Sequence, residues 1–211
     1  MTDLPKGFRI RLARAGDHAA LKDVCLKTGD SGADGTHLQD DPELLGLVYA
    51  VPYQVYAPDF AFVLEDAEGV CGYVLGAPDT AAFTRWMDRI WYPPLRARLR
   101  NPGADPAAWQ QSDWVRWKVF EPPEPSPVDP ALYPAHAHID LLPRAQGRGL
   151  GRALMERELA ALTEAGCAGV FLGVSPRNDR ALAFYRHIGF QFEAAGPDVV
   201  ILTRKLGGAA G

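Results

Sequence analysis

The feature that most restricts this chain is Gln146-Gly147-Arg148-Gly149-Leu150-Gly151-Arg152, which joins a short apolar run to a helical pattern. The run, Ala137 to Leu142, is closed by Pro143. Beyond the loop, Leu150, Leu154, Met155, Leu159 and Leu162 recur at helical spacing until Gly166 stops the pattern. A strand therefore passes into a helix through a corner holding three glycines and three arginines, Arg144, Arg148 and Arg152. Without a Cβ, glycine lets backbone N–H groups close on a ligand. The first turn of a helix leaves those groups unpaired and carries about half a positive charge. A corner of this kind suits a phosphate.

Two phosphate-binding patterns fail here. A dinucleotide loop needs Gly-x-Gly-x-x-Gly and an acidic residue roughly 20 residues on. Arg152 stands where the third glycine would be, and the next strand, Ala168 to Val174, leads into Ser175 with no carboxylate. No Gly-Lys-Ser/Thr follows for a Walker loop. What remains is Gln-x-x-Gly-x-Gly, carried by Gln146, Gly149 and Gly151. Further on, Asn178-Asp-Arg-Ala-Leu-Ala-Phe-Tyr-Arg-His-Ile-Gly-Phe190 reads as a helix with Asn178 as N-cap and Gly189 as its stop. Ala181, Phe184, Tyr185 and Ile188 share one face of it.

These two motifs, in order and separated by one strand, resemble the GCN5-related N-acetyltransferases (GNAT). The resemblance implies an α/β (α+β) GNAT fold: a mixed, mostly antiparallel central sheet of about seven strands with helices on both faces. It implies acetyl-CoA as co-substrate and no metal. The loop residues Gln146, Gly147, Arg148, Gly149, Leu150, Gly151 and Arg152 would hold the pyrophosphate, and the backbone at Leu141 and Leu142 the pantetheine arm. Asn178 resembles the family's cofactor-contacting asparagine. Tyr185 resembles its general acid, although a tyrosine on an apolar helix face can equally be core.

The base is less directly marked. In a strand, His136, His138 and Asp140 share one face. Two imidazoles and a carboxylate in a row could pass a proton from an ammonium to water, because histidine titrates near neutrality. A His-x-His here also resembles the arylalkylamine acetyltransferases. The alternative is that these three are hydrogen-bonded partners beneath the sheet.

The rest of the chain frames this centre. Gly7–Arg14 reads as a first strand, Asp17 to about Gly29 as a helix, and 30–41 as a polar loop holding four aspartates. That loop is either a solvated linker or a recognition element for a cationic or polyhydroxyl acceptor. Leu44–Tyr56 reads as a helix broken at Pro52, and Phe60–Glu65 with Val70–Ala77 as a hairpin. An insertion over about 80–134 carries all five tryptophans. It reads as one helix up to Pro93-Pro94, a second from Ala107 to about Phe120, and a proline-rich run to Pro134. The tryptophans either pack as a helical layer on the sheet or line an acceptor groove or homodimer contact. Phe190–Ala195 and Val199–Arg204 read as the last strands, with a tail from Gly207.

A long Trp-bearing insertion at this point, after Gly72-Tyr-Val-Leu-Gly76, resembles the acetyltransferase-like domain of O-GlcNAcase and its free-standing bacterial relatives. That domain's phosphate loop is degraded, whereas Gln146, Gly149 and Gly151 are all present here. The chain thus reads as a single GNAT domain over 1–211: an N-acetyltransferase for an amine, a small molecule rather than a protein lysine. The alternatives are a non-catalytic acetyl-CoA-binding module and a protein-interaction domain. A formal net charge of −4 gives no footprint for nucleic acid. No signal peptide or membrane span is visible, and Cys25, Cys71 and Cys167 read as reduced core thiols, so a cytoplasmic protein is expected.

Overall fold

The computed structural model describes residues 4–121 and 123–207; the end of the expected tail and Pro122 lie outside that range. Seven strands form one sheet in the order β1-β2-β3-β4-β5-β7-β6. They are β1 (Arg9–Leu12), β2 (Ala61–Asp66), β3 (Gly69–Ala77), β4 (Ala135–Leu141), β5 (Gly169–Val174), β6 (Gln191–Ala195) and β7 (Val200–Lys205). Only β4 and β5 are parallel. The α-helices are α1 (His18–Lys27), α2 (Leu44–Tyr49), α3 (Val51–Tyr56), α4 (Thr80–Trp86), α5 (Tyr92–Arg96), α6 (Asp113–Phe120), α7 (Leu150–Glu164) and α8 (Asp179–His187). Among the described residues, no helix is long and apolar enough to cross a membrane.

The alternation of β3 divides the core. Gly76 faces α7, so closely that a Cβ there would meet Glu158 Oε1 at 1.9 Å. Its neighbours Leu75 and Tyr73 turn to the opposite face, where α1 and α3 pack. Tyr73, Leu75 and Leu154 have no exposed surface. Helices therefore cover both faces of the sheet, and β3 and β4 form its buried middle.

Three expectations about elements need correction. The helix pair at 44–56 breaks at Ala50, and Pro52 lies in the first turn of α3, where a missing N–H costs no hydrogen bond. The first insertion helix does not stop at Pro93-Pro94. A π-helical turn, Met87–Trp91, changes the register, and α5 continues through both prolines to Arg96. The Arg96 guanidinium contributes a donor to the Asp88 carbonyl at 3.3 Å, and binds its carboxylate at 2.7 Å. The second insertion helix starts only at Asp113, since Gln111 adopts a left-handed φ of 44° that no helix accommodates.

One core residue contradicts the helical pattern. Glu158 on α7 has no exposed surface, and neither carboxylate oxygen has a hydrogen-bond partner. Desolvation raises its pKa well above the ordinary 4.5. The folded state thus holds a proton that the unfolded chain releases above that value, so Glu158 lowers stability progressively as pH rises past about 4.5. Glu158→Met should raise the melting temperature by several degrees, at ~2–4 °C per kcal/mol, and by more at pH 8 than at pH 5. Thermal unfolding at both pH values would show it; an equal or lower melting temperature at pH 8 would contradict it.

Candidate active site

The site begins where two neighbouring strands part. β4 pairs with β3 along its whole length, to Leu141, but with β5 only at Ala135–Val170 and His136–Phe171. The Leu142 amide donates to the Cys71 carbonyl at 2.8 Å, so by strand alternation the even-numbered residues of β4 turn their backbone groups to β3. Those of Ile139 and Leu141 turn into the gap. Leu142 itself is buried with its amide satisfied by β3, so the pair of backbone positions facing the gap is Ile139 and Leu141 rather than Leu141 and Leu142.

A cavity of about 760 Å³ opens from this gap. Its floor is the glycine loop. Gly147 and Gly149 hold φ values of 74° and 76°, which side chains with a Cβ rarely adopt. Among the described residues, no acceptor meets the amides of Gly147, Arg148 or Gly149. Gly151 lines the cavity in the first turn of α7, and a Cβ there would sit 3.6 Å from Leu141 and Phe184, an ordinary contact. Leu150 has its side chain in the core and offers only its amide. The Gln146 side chain donates to the Leu141 carbonyl at 2.7 Å and accepts from Arg180, which fixes the end of the gap.

The arginines differ from expectation. Arg144 binds Asp66 at 2.8 Å and the Val70 carbonyl at 3.3 Å, which secures the loop to the β2–β3 turn. Arg148 turns over the Phe8 ring, 5.6 Å from its centroid. Of the three, only Arg152 lines the cavity, while bonded to Glu156 at 2.6 Å. Arg177 and Arg180 line it as well, a contribution the sequence reading missed. Their signal was their position on either side of Asn178, the helix start nearest the loop. Asn178 caps α8 by accepting from the Ala181 amide at 3.0 Å, and also borders the cavity.

The polar loop after α1 forms the roof. Thr28, Ser31, Gly32 and Ala33 line the cavity, with the Ser31 hydroxyl 3.3 Å from that of Ser175 and Asp30 3.8 Å from Arg177. Its remaining aspartates do other work. Asp34 caps the turn at Thr36, and Asp40 binds Arg116 of the insertion at 2.9 Å. The Ser112 hydroxyl also accepts from the amides of Asp40 and Asp41. The tryptophans pack within the insertion and against α2 and α3: Trp91 donates to the Leu47 carbonyl at 2.7 Å, and Trp114 meets Tyr49. None of the five lines the cavity.

The face of β4 that was read as a proton relay divides into two parts. His136 is enclosed by Tyr53, Thr80, Phe83 and Phe171, with Tyr53 Oη at 2.8 Å and Thr80 Oγ1 at 2.9 Å from its two nitrogens. Desolvation lowers its pKa to about 3, so it stays neutral and acts as a structural hydrogen-bonding group, not a relay member. His138 stands edge-on between Tyr53 and Tyr73, its Nε2 without a partner, and desolvation lowers its pKa too. Asp140 does line the cavity. It accepts from the Tyr73 hydroxyl at 2.6 Å, and desolvation raises its pKa. Tyr185 borders the same cavity, 5% exposed, its hydroxyl against the backbone of Ile139. Burial keeps its proton on oxygen far into the alkaline range. A half-buried carboxyl and a buried phenol that keeps its proton thus border the same cavity. Among the described residues, no group of His, Cys, Asp and Glu could hold a metal ion.

The comparisons agree with this geometry. The model of the acetyltransferase (GNAT) family matches residues 114–190. Protein O-GlcNAcase of Rattus norvegicus is 28% identical over 98% of this chain, which spans about a quarter of that relative's length (23%). The crystal structure of SsHAT is 38% identical, with a TM-score of 0.87 over 94% of this chain and 98% of its own. A GNAT superfamily phosphinothricin acetyltransferase from Sinorhizobium meliloti, solved in complex with AcCoA, shares the fold at 16% identity. Its TM-score is 0.57, over 95% of this chain and 89% of that one. The chain belongs to the GNAT acetyltransferase family.

The structural role of His136 has its own test. His136→Ala should destabilise the fold by about 1–3 kcal/mol, since it strands the buried Tyr53 hydroxyl, whereas Thr80 keeps its bond to the Pro134 carbonyl. In the intact protein its imidazole should stay neutral down to pH 5, as read by nitrogen-15 shifts. A protonation step between pH 5 and 7 would return His136 to the candidate bases.

Proposed function

We propose that this chain is an acetyl-CoA-dependent N-acetyltransferase whose acceptor is a primary amine, with a small molecule preferred over a protein lysine. The observation that carries the reading is the shared cavity: unpaired loop amides and arginines at one end, Asp140 of β4 and Tyr185 of α8 beside the parted strands. In this reading the amides of Gly147 to Gly151, with Arg152, Arg177 and Arg180, take the phosphates. The Ile139 and Leu141 backbone pairs with the pantetheine amides. Leaving such amides unpaired in a closed gap would cost about 1–3 kcal/mol per group, so the strand separation selects an amide-bearing arm.

Asp140 takes the proton of the incoming ammonium, whose free nitrogen pair then attacks the thioester carbonyl. A carbon–nitrogen bond forms and the carbon–sulfur bond breaks. The departing sulfur receives a hydrogen bond and then a proton from Tyr185, the second nitrogen proton of the tetrahedral adduct restores that phenol, and Asp140 returns the first proton to water. A thiolate in a desolvated space is costly, so a phenol that still holds its proton contributes where charge develops. His138 lies next to Asp140, but its lowered pKa leaves it a neutral neighbour at working pH.

Two measurements test the reading. Gly149→Val forces a branched side chain into a left-handed φ, and should abolish calorimetric binding of CoA while leaving the fold intact. Undiminished affinity would remove the loop from the site. Tyr185→Phe keeps the ring and its packing. It should lower thiol release with the best amine by about 10²–10⁴-fold at unchanged acetyl-CoA affinity. Release in the intact protein no faster than amine-free hydrolysis, across a broad amine panel, would favour a binding module instead. The rate should also rise with pH as Asp140 ionises, at a midpoint above the ordinary 3.8 because desolvation raises it.

A further inference from the structure

Tyr73 is among the largest side chains in the protein with no exposed surface, and lies in the middle of β3. An apolar residue would serve such a position without having to satisfy a hydroxyl. Its hydroxyl donates to Oδ2 of Asp140 at 2.6 Å, in register across the strands, since Tyr73 and Asp140 are direct partners in the β3–β4 ladder. A bond this short to a carboxylate is of the charge-assisted kind. It engages Oδ2, and Asp140 itself lines the cavity.

We propose that Tyr73 is a positioning residue for acetyl transfer: it fixes the Asp140 carboxylate through Oδ2 and presents Oδ1 to the acceptor amine as the proton-accepting atom. The inference rests on Asp140 serving as the base.

The surroundings of Asp140 show why one phenol matters. From β4 it faces His138, from α1 Thr28 and Cys25, and from α8 Tyr185. The Thr28 hydroxyl donates to the Val24 carbonyl at 2.8 Å, so its hydrogen is directed away from the carboxylate. Burial pushes the Cys25 thiol up to about 12, and His138 is held neutral. None of these groups carries a positive charge at neutral pH. The pull of desolvation toward a protonated Asp140 is opposed by His138, by the Tyr73 hydrogen bond and by Thr28, and of these Tyr73 is the one whose hydroxyl donates directly to the carboxylate. A base must be ionised before it can accept a proton, yet must hold that proton well once taken. Partial burial with one strong donor sets a carboxyl between those demands.

The first measurement needs no acceptor, and the rate measurements use the best amine found. The titration of Asp140 is followed in the full chain by the infrared carbonyl band of the protonated carboxyl, identified by its loss in Asp140→Asn. In Tyr73→Phe the midpoint should rise by about 1–2 pH units, the worth of one hydrogen bond to a charged group. The acid limb of the pH–rate profile should move with it, and acetyl-CoA affinity should not change. Should Tyr73→Phe fold poorly, 3-fluorotyrosine at position 73 keeps the ring and makes the phenol more acidic, and should move the midpoint down. An unmoved midpoint in a folded Tyr73→Phe or fluorotyrosine protein overturns the positioning role alone. Full acetyl transfer with an unchanged pH profile in Asp140→Asn overturns the base assignment beneath it.

Discussion

The parting of β4 from β5 is the constraint on which the rest of the site depends. A buried backbone group must find a partner, and after His136 and Phe171 the two strands no longer supply each other's. The molecule meets the shortfall with side chains from elsewhere. Gln146 reaches the Leu141 carbonyl, and Tyr185 brings its hydroxyl to Ile139. Each of those residues starts or stands on an element flanking the gap, so the opening also fixes where α7 and α8 begin. The glycine loop, the cap at Asn178 and the roof from Thr28 to Ala33 then surround a space that β4 has already defined.

Electrostatics on the even-numbered face of β4 follows from depth. The same desolvation acts on His136, His138 and Asp140, but with opposite effects on the two residue types. It strips the histidines of charge and makes the carboxyl reluctant to lose its proton. Three residues that alternate toward one side, and could in water form a chain of titrating groups, therefore become one carboxyl among neutral neighbours. Hydrogen bonding separates them further: His136 is held by Tyr53 and Thr80 at the closed end, whereas Asp140 is held by Tyr73 beside the cavity.

What could be read from the sequence was local. Glycine spacing, the Asn178 cap and the β2–β3 turn each depend on residues a few positions apart, and their elements lie where expected. What could not be read depends on partners far along the chain. Arg144 looked like a phosphate ligand because nothing nearby competes for it; Asp66, 78 residues away, does. His136 and His138 were credited with the pKa of free imidazole, a property that their packing removes. Glu158 falls between Leu154 and Leu162 on the apolar stripe of α7, and Gly76 on β3 leaves the space that its carboxyl fills. Pro93 and Pro94 signalled a helix end, and only a π-helical turn just before them allows the helix to continue.

The ties between the insertion and the polar loop give the cavity a remote support. Arg116 and Ser112 hold Asp40 and Asp41, a few residues beyond the stretch that roofs the site. The insertion acts on that roof as a splint acts on a limb, bracing it from outside the injured part. Changes in its length or sequence would disturb the fixing of Asp40 and Asp41, and so the support behind Thr28 to Ala33, while every residue lining the cavity stays the same.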